Sequence, residues 1–357
     1  MSINRRTFGG SVILGAVGSA VSHYPKAVYS ASKSNISNIK LAAQFGPSDE
    51  TGMALVKSLN LKHLTMWTDL SDENLADVKK QAARLEMNIA YASRCQNWPQ
   101  IVLNLPGRES AIEEFNRQTI ALGKAGIQNR QIYFYTTGVL ITHLVDLPGG
   151  MKARAFSLNR QPDQSLSYQR FEGLDRTYSE EEIWDNYTYF IRKTAPVAED
   201  ANVCMSIHPE DPPGIRYLTE PRVVASSFEG YKRALEIADS PNVGMCLCCG
   251  CVLEAGEAWG KDILETIKYF GARNKIFKVH FRNVSSTLPE FHETWLEDGY
   301  YDMYQVMKTL REVNNDCIVT VDHWPGNRQE EFDKIGWVRS MTYLKALLER
   351  ANEEKIL

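Results

Sequence analysis

Four short segments of this chain end in residue types that bind divalent metals. Ser206-Ile207-His208-Pro209-Glu210-Asp211 ends on an imidazole followed by two carboxylates, and Cys246-Leu247-Cys248-Cys249-Gly250 presents thiols. Phe277-Lys278-Val279-His280-Phe281-Arg282-Asn283 carries a second imidazole, and Val321-Asp322-His323-Trp324 sets a carboxylate beside a third. Two imidazoles, one thiolate and one carboxylate, from His208, Cys248, His280 and Asp322, could surround one divalent ion. The mixture of hard and borderline donors admits Mn²⁺, Fe²⁺, Co²⁺ or Zn²⁺. Taken singly, each residue has an ordinary structural reading: a histidine at a strand end is commonly just hydrogen-bonded, and a buried cysteine packs as a small hydrophobe. Their recurrence on four successive segments favours a metal site. Cys246 shares a strand face with Cys248 but lies one pleat deeper, while Cys249 and Cys251 are expected to point away.

The elements that must position these residues can be read from periodicity. Short, mainly apolar runs, as parallel strands covered by helices must be, occur at Lys40–Phe45, His63–Trp67, Asn88–Ala92, Gln131–Thr136, Asn202–His208, Val243–Cys248, Ile276–Phe281 and Cys317–Asp322. Amphipathic helical patterns fill the gaps. Ser71–Leu85 carries Leu75, Val78 and Ala82 on one face, and Ser110-x-x-Glu113, Ser179-x-x-Glu182 and Ser226-x-x-Glu229 have the form of capping boxes. Helical stripes at Ile263–Phe270, Met303–Leu310 and Trp337–Leu348 complete the set. This alternation predicts an α/β fold, a (β/α)8 barrel, in which the C-terminal strand ends converge on one site. A G-x-G-x-x-G turn after the first strand, the mark of the rival doubly wound sheet, is absent. Leu140–Arg176 reads as a long, polar, poorly periodic insertion over that C-terminal face.

Composition narrows the function classes. With 357 residues, 43% hydrophobic and 24% charged, the chain is neither disordered nor a many-span membrane protein. Its net charge of −4 supplies no field for nucleic acid. Seven cysteines, four of them crowded into Cys246–Cys251, make a poor disulfide framework. The N-terminus resembles a twin-arginine export signal: Arg5-Arg6-x-Phe8 precedes a Gly/Ala-rich apolar run from Val12 to Val21, too short to span a bilayer. The expected organisation is a signal or tail over 1–31 and one catalytic domain over 32–357. The protein is then exported or periplasmic, with no membrane attachment after signal removal. Homo-oligomerisation is left open.

The strand ends resemble those of the mannonate dehydratase family, metal-dependent enzymes of the xylose-isomerase-like barrel superfamily. His208-Pro209-Glu210-Asp211-Pro212-Pro213 is similar to that family's His-Pro-Asp-Asp-Pro-Pro, and Leu247-Cys248-Cys249-Gly250 to its Leu-Cys-Thr-Gly. His280-Phe281-Arg282-Asn283-Val284 matches its His-x-Arg-Asn-Val block, Asp302-Met303-Tyr304 its Val-Asp-Met-Tyr, and Asp322-His323 its Pro-Asp-His. A weaker likeness covers Leu105–Gly126 and Gly149–Arg154. The resemblance implies metal ligation by His208, Cys248, His280 and Asp322, and a catalytic acid/base role for His323. Arg222, Arg282 and Asn283 are then candidates to bind a small sugar acid, arginine being suited to bidentate carboxylate contact. Family members dehydrate D-mannonate to 2-keto-3-deoxy-D-gluconate. One departure concerns the segment after the last strand, where the family has a tyrosine and this chain reads Glu331-Phe332-Asp333-Lys334-Ile335-Gly336-Trp337-Val338-Arg339. The sequence therefore points to a metal-dependent sugar-acid dehydratase. The alternatives are an isomerase or epimerase on the same barrel, and a sugar-acid-binding protein without turnover.

Overall fold

Local chemistry sets the helix boundaries before packing acts. Ser71 and Ser179 accept hydrogen bonds from the backbone N–H of Asn74 and Glu182, as their spacing predicts, and Ser179 with Glu182 forms a reciprocal capping box. Two expected caps differ. Ser227, not Ser226, caps its helix, accepting from Gly230. Ser110 lies inside a helix that begins at Arg108 after Gly107, whose φ of 90° turns the chain into the first turn without a side-chain cap.

The computed structural model describes residues 37–94, 98–135, 138–161, 163, 176–215, 222–313, 315–326 and 330–354. The expected export signal, and residues 162 and 164–175 of the insertion, lie outside these. The described residues belong to one compact unit. In chain order the elements are β1 (Lys40–Ala43), α1 (Glu50–Ser58), β2 (His63–Trp67), α2 (Asp72–Arg84), β3 (Asn88–Ser93), α3 (Trp98–Val102), α4 (Arg108–Lys124) and β4 (Asn129–Ile132). A hairpin, β5 (His143–Leu147) and β6 (Met151–Ser157), precedes α5 (Glu180–Asp200), β7 (Cys204–Ile207), α6 (Phe228–Ala238), β8 (Val243–Cys248) and α7 (Cys249–Ala255). The chain continues through α8 (Ile263–Gly271), β9 (Ile276–Phe281), β10 (Glu290–His292), α9 (Met303–Val313), β11 (Ile318–Val321) and α10 (Glu330–Glu353).

All eight expected strands join one parallel sheet in the order β3-β2-β1-β11-β9-β8-β7-β4, a nearly closed barrel. Among the described residues the β3–β4 seam has no ladder and is bridged by side chains. Asn129 Nδ2 donates to the Ala90 carbonyl at 3.3 Å, Ser93 Oγ to the Gln131 carbonyl at 3.4 Å, and Tyr91 Oη to Gln131 Oε1 at 3.2 Å. Inside the barrel Lys278 Nζ donates to Gln131 Oε1 at 3.0 Å and sits 3.7 Å from the centre of the Tyr91 ring. Burial pulls that ammonium down to about 8. The helices cover the outside through an apolar core that includes Trp259, Trp337, Tyr187, Phe190 and Phe270.

The insertion after β4 is more regular than its polarity predicts. Its first half folds as β5 and β6 and takes up β10 to make a second, antiparallel sheet in the order β10-β6-β5. Gly149 and Gly150, with φ near +79° and +74°, make the tight turn. Ala153 and Ala155 share one buried face of β6 and Phe156 is buried on the other, a pattern too short to stand out beside its polar neighbours.

Candidate metal centre and proton-transfer site

The loop after β7 and the C-terminal ends of β8, β9 and β11 bring four donor side chains together. His208 Nε2 lies 3.1 Å from His280 Nδ1, His280 Nδ1 3.1 Å from Asp322 Oδ1, and Cys248 Sγ 3.6 Å from Asp322 Oδ2. Register explains the meeting. Cys248 stands opposite His280 across the β8–β9 ladder, and Thr320 stands opposite His280 across β9–β11, so Asp322 projects inward one pleat beyond. The Pro209 carbonyl lies 2.7 Å from His208 Nδ1, and a carbonyl only accepts, so Nδ1 carries the proton and Nε2 turns its lone pair to the cluster. Tyr135 Oη lies against the same Nδ1.

Cys248, His280 and Asp322 form one group whose ligand atoms lie within 4.8 Å of one another, and His208 joins it through its approach to His280, a donor set of the kind a divalent ion takes. Ligands held tetrahedrally at about 2.0–2.3 Å from a common centre stand about 3.3–3.8 Å apart, close to the separations here. The electrostatics agree. Burial opposes ionisation of Asp322, but His280 and His323 outweigh it and hold the carboxyl well below its ordinary range. Burial likewise favours a neutral His280, yet the Asp322 charge raises it well above the usual imidazole value. Burial pushes the Cys248 thiol up, and hydrogen bonding from Cys251 together with the Arg282 charge brings it well below. Asp322 and the Cys248 thiolate thus place negative charge beside the protonated His280, charge that a divalent ion would take over on displacing the imidazole proton. Cys246 approaches His208 and His280 from the pleat beneath, as its strand phase predicts.

Cys251 does not point away as its distance from the strand suggests. The strand stops at Cys248 and α7 begins at the next residue, so Cys248 and Cys251 sit three apart across a helical turn and share a face. Cys251 therefore joins Cys248 and His208 in one group. Between them passes Arg282, buried, with Nη2 at 3.6 Å from Cys248 Sγ and 3.4 Å from Cys251 Sγ. It also meets Glu254, Asp211, Glu293 and Asp322 at 3.4, 3.5, 3.0 and 3.5 Å. Gly250 is required by this path, since a Cβ there would lie 1.9 Å from Arg282 Nε.

His323 stands beside the cluster with 23% of its side chain exposed and its Nε2 3.7 Å from Asp322 Oδ1. Its Nδ1 lies 2.7 Å from Glu293 Oε1, and Arg154 Nη1 lies 3.2 Å from each ring nitrogen. Glu293 is fully enclosed, and burial alone would raise it. The charge of His323 and its hydrogen bond, followed by Arg154 and Arg282, bring it down to about 2 instead. An ionised Glu293 accepts from Nδ1–H, which leaves Nε2 3.7 Å from Asp322 Oδ1 and 3.2 Å from Arg154 Nη1.

Two of the three expected substrate contacts are placed elsewhere. Arg222 has no exposed side-chain surface; it pairs with Glu210 at 3.0 Å and donates to the Asp211 carbonyl at 3.1 Å, holding the loop that carries His208. Asn283 is fully buried, with Nδ2 donating to the Leu296 and Tyr301 carbonyls at 3.0 and 2.9 Å. Arg282 balances the charge of the buried acids described above. The residues that sequence reasoning passed over are Glu293, Arg154, Tyr133 and Tyr135. Glu293 comes from a stretch without periodicity, and Arg154 from the insertion. Tyr133 and Tyr135 are spaced two apart just beyond β4, a spacing that places both on one face. The tyrosines that reach the cluster thus follow β4, whereas the segment after β11 runs into α10.

A family model described as D-mannonate dehydratase (UxuA) matches residues 161–356. The chain is 30% identical over 276 residues to a mannonate dehydratase of Streptococcus suis, covering 70% of this chain and 73% of that protein. It is 26% identical over 342 residues to mannonate dehydratase 2 of Halalkalibacterium halodurans, covering 85% and 97%. Among solved structures, the mannonate dehydratase of Streptococcus suis serotype 2 superposes with a TM-score of 0.74 at 24% identity, over 88% of this chain and 95% of that one. An L-ribulose 3-epimerase superposes with a TM-score of 0.56 at 13% identity, over 88% and 95%, a likeness of fold.

Proposed function

Since this chain belongs to the D-mannonate dehydratase family, we propose that it is a metal-dependent dehydratase of a sugar acid, D-mannonate or a close analogue. His208, Cys248, His280 and Asp322 are the proposed ligands of one divalent ion, Mn²⁺ or Fe²⁺, and His323 is the proposed acid/base. The observation that carries the reading is the convergence of those four donors beside a half-open imidazole whose other nitrogen is held by Glu293.

The reaction removes the proton on C2 and the hydroxyl on C3 as water, and the resulting enol becomes a 2-keto-3-deoxy acid. A bound divalent ion would polarise the substrate carboxylate and C2 oxygen and so acidify the C2 proton. The chain's own residues supply the rest. His323 Nε2 takes or gives one proton, and Glu293 fixes its tautomer and steadies the imidazolium when it forms. Arg154, beside His323, offers a guanidinium to the anionic end of the substrate. Arg282 and Glu254 keep the floor electrically balanced, and the buried loop held by Arg222 limits water. We also propose that Arg5-Arg6 directs export, so that the enzyme works outside the cytoplasm.

The test is to load the purified protein with Mn²⁺ and supply D-mannonate and related aldonates. A 2-keto-3-deoxy product supports the reading. An isomer of unchanged mass would replace it with epimerisation, for which the different segment after β11 leaves room, and heat of binding without product would make the protein a binder.

A further inference from the structure

Trp67 is the most exposed large apolar side chain among the described residues, at 53%, and it ends β2 on the same barrel face as the donor cluster. Single exposed hydrophobic residues are ordinary on a protein surface. This one is not isolated. Its indole lies 5.6 Å from the ring of Tyr133 at an interplanar angle of 35°, and the Tyr133 ring lies 5.1 Å from the imidazole of His208 at 33°. Tyr91 and Tyr135 brace the row edge-on, at 6.3 Å from Trp67 and 5.2 Å from Tyr133. Three rings thus step from solvent to a proposed metal ligand, each tilted moderately against the next.

The opposite character is found at His323 and Arg154, where the groups are cationic or proton-carrying. A sugar acid has the same two-ended character. Its carboxylate and first hydroxyls need charge and proton transfer, while the far end is uncharged and carries C–H bonds between its hydroxyls. An aromatic face, negative at its centre, attracts such C–H bonds and has no affinity for a carboxylate. We infer that Trp67 and Tyr133 form an aromatic wall that receives the far carbons of the aldonate, C4 to C6, making Trp67 a specificity-determining residue for chain length. The inference rests on the sugar-acid reading above and specifies which end of the substrate lies where.

The experiment compares Mn²⁺-loaded wild type, Trp67→Ala and Trp67→Phe on D-mannonate and on a four-carbon aldonate, with metal content measured for each. The expected result is normal metal content in all three and a KM for D-mannonate raised about tenfold in Trp67→Ala, with kcat changed far less. The preference for six carbons over four should fall by about the same factor, and Trp67→Phe should restore most of it. An unchanged KM, or an equal rise for both acids, would overturn the wall. Should wild type bind D-mannonate without turning it over, the dehydratase reading fails, and calorimetric affinities of the same three proteins still decide the wall. Absence of D-mannonate binding to metal-loaded wild type would overturn the wall as well.

Discussion

Asp322 and His323 are adjacent in sequence and 3.7 Å apart at their side-chain tips, yet their shortest contacts differ, and their separate roles can be tested residue by residue. Asp322 faces His280 at 3.1 Å and Cys248 at 3.6 Å, whereas His323 turns to Glu293 at 2.7 Å. His323→Asn is expected to keep its metal and lose turnover by about 10²–10⁴-fold, the usual worth of a positioned acid/base. Asp322→Asn is expected to lose metal. Metal analysis and turnover on the same preparations check both, and near-normal turnover of His323→Asn would remove that residue from the mechanism. Glu293 carries a second prediction. Its carboxyl is lowered from an ordinary 4.5 to about 2, so between these values the unfolded chain binds more protons than the folded one. Its stabilising contribution is present above about 5 and is lost as pH falls through 4.5 toward 2. The unfolding midpoint of wild type should therefore drop on acidification more steeply than that of Glu293→Gln, measured by thermal melts at pH 5, 4 and 3.

At the scale of elements, the junction of β8 with α7 decides how the site is built. The strand supplies Cys248, and the helix beginning one residue later swings Cys251 back beneath it, with Arg282 of the following strand lying across Gly250. Gly250→Ala would force the guanidinium from its acids. The expected cost is about 1–3 kcal/mol in urea unfolding, typical of overpacking, together with reduced metal occupancy because Cys248 and Asp322 lose a shared cation. Retained stability and full occupancy would show that Arg282 can relocate freely. The small sheet of β5, β6 and β10 has a matching function. It delivers Arg154, and β10 leads directly into Glu293, so two partners of His323 come from outside the barrel strands.

For the whole molecule, the barrel separates stability from chemistry. The interior below the site is filled by Lys278, Gln131 and Tyr91, and the proposed chemistry sits above at the strand C-termini. Among the described residues no helix is long and apolar enough to cross a membrane. Export is tested on the full chain. Arg5→Lys with Arg6→Lys should leave the protein in the cytoplasm of a host that exports wild type, as read by cell fractionation, and unchanged export would discard the motif.

Much of the site was already legible in the residues. Strand periodicity is local, so the eight barrel strands, and the inward phase of Cys246, Cys248 and His280, follow from runs of a few residues. That His208 and Asp322 would join them follows from the rule that parallel strand ends converge. Tertiary structure alone decided the rest. Whether Cys251 faces the site depends on where the strand gives way to a helix. Whether Arg222 and Asn283 meet substrate or carbonyl groups depends on loops packed over them. Glu293 and Arg154 lie on segments with no periodic tie to the ligands, and although Trp67 ends a barrel strand, the strand period says nothing of its stacking on Tyr133. Their association rests on through-space charge and ring contact, which have no one-dimensional pattern.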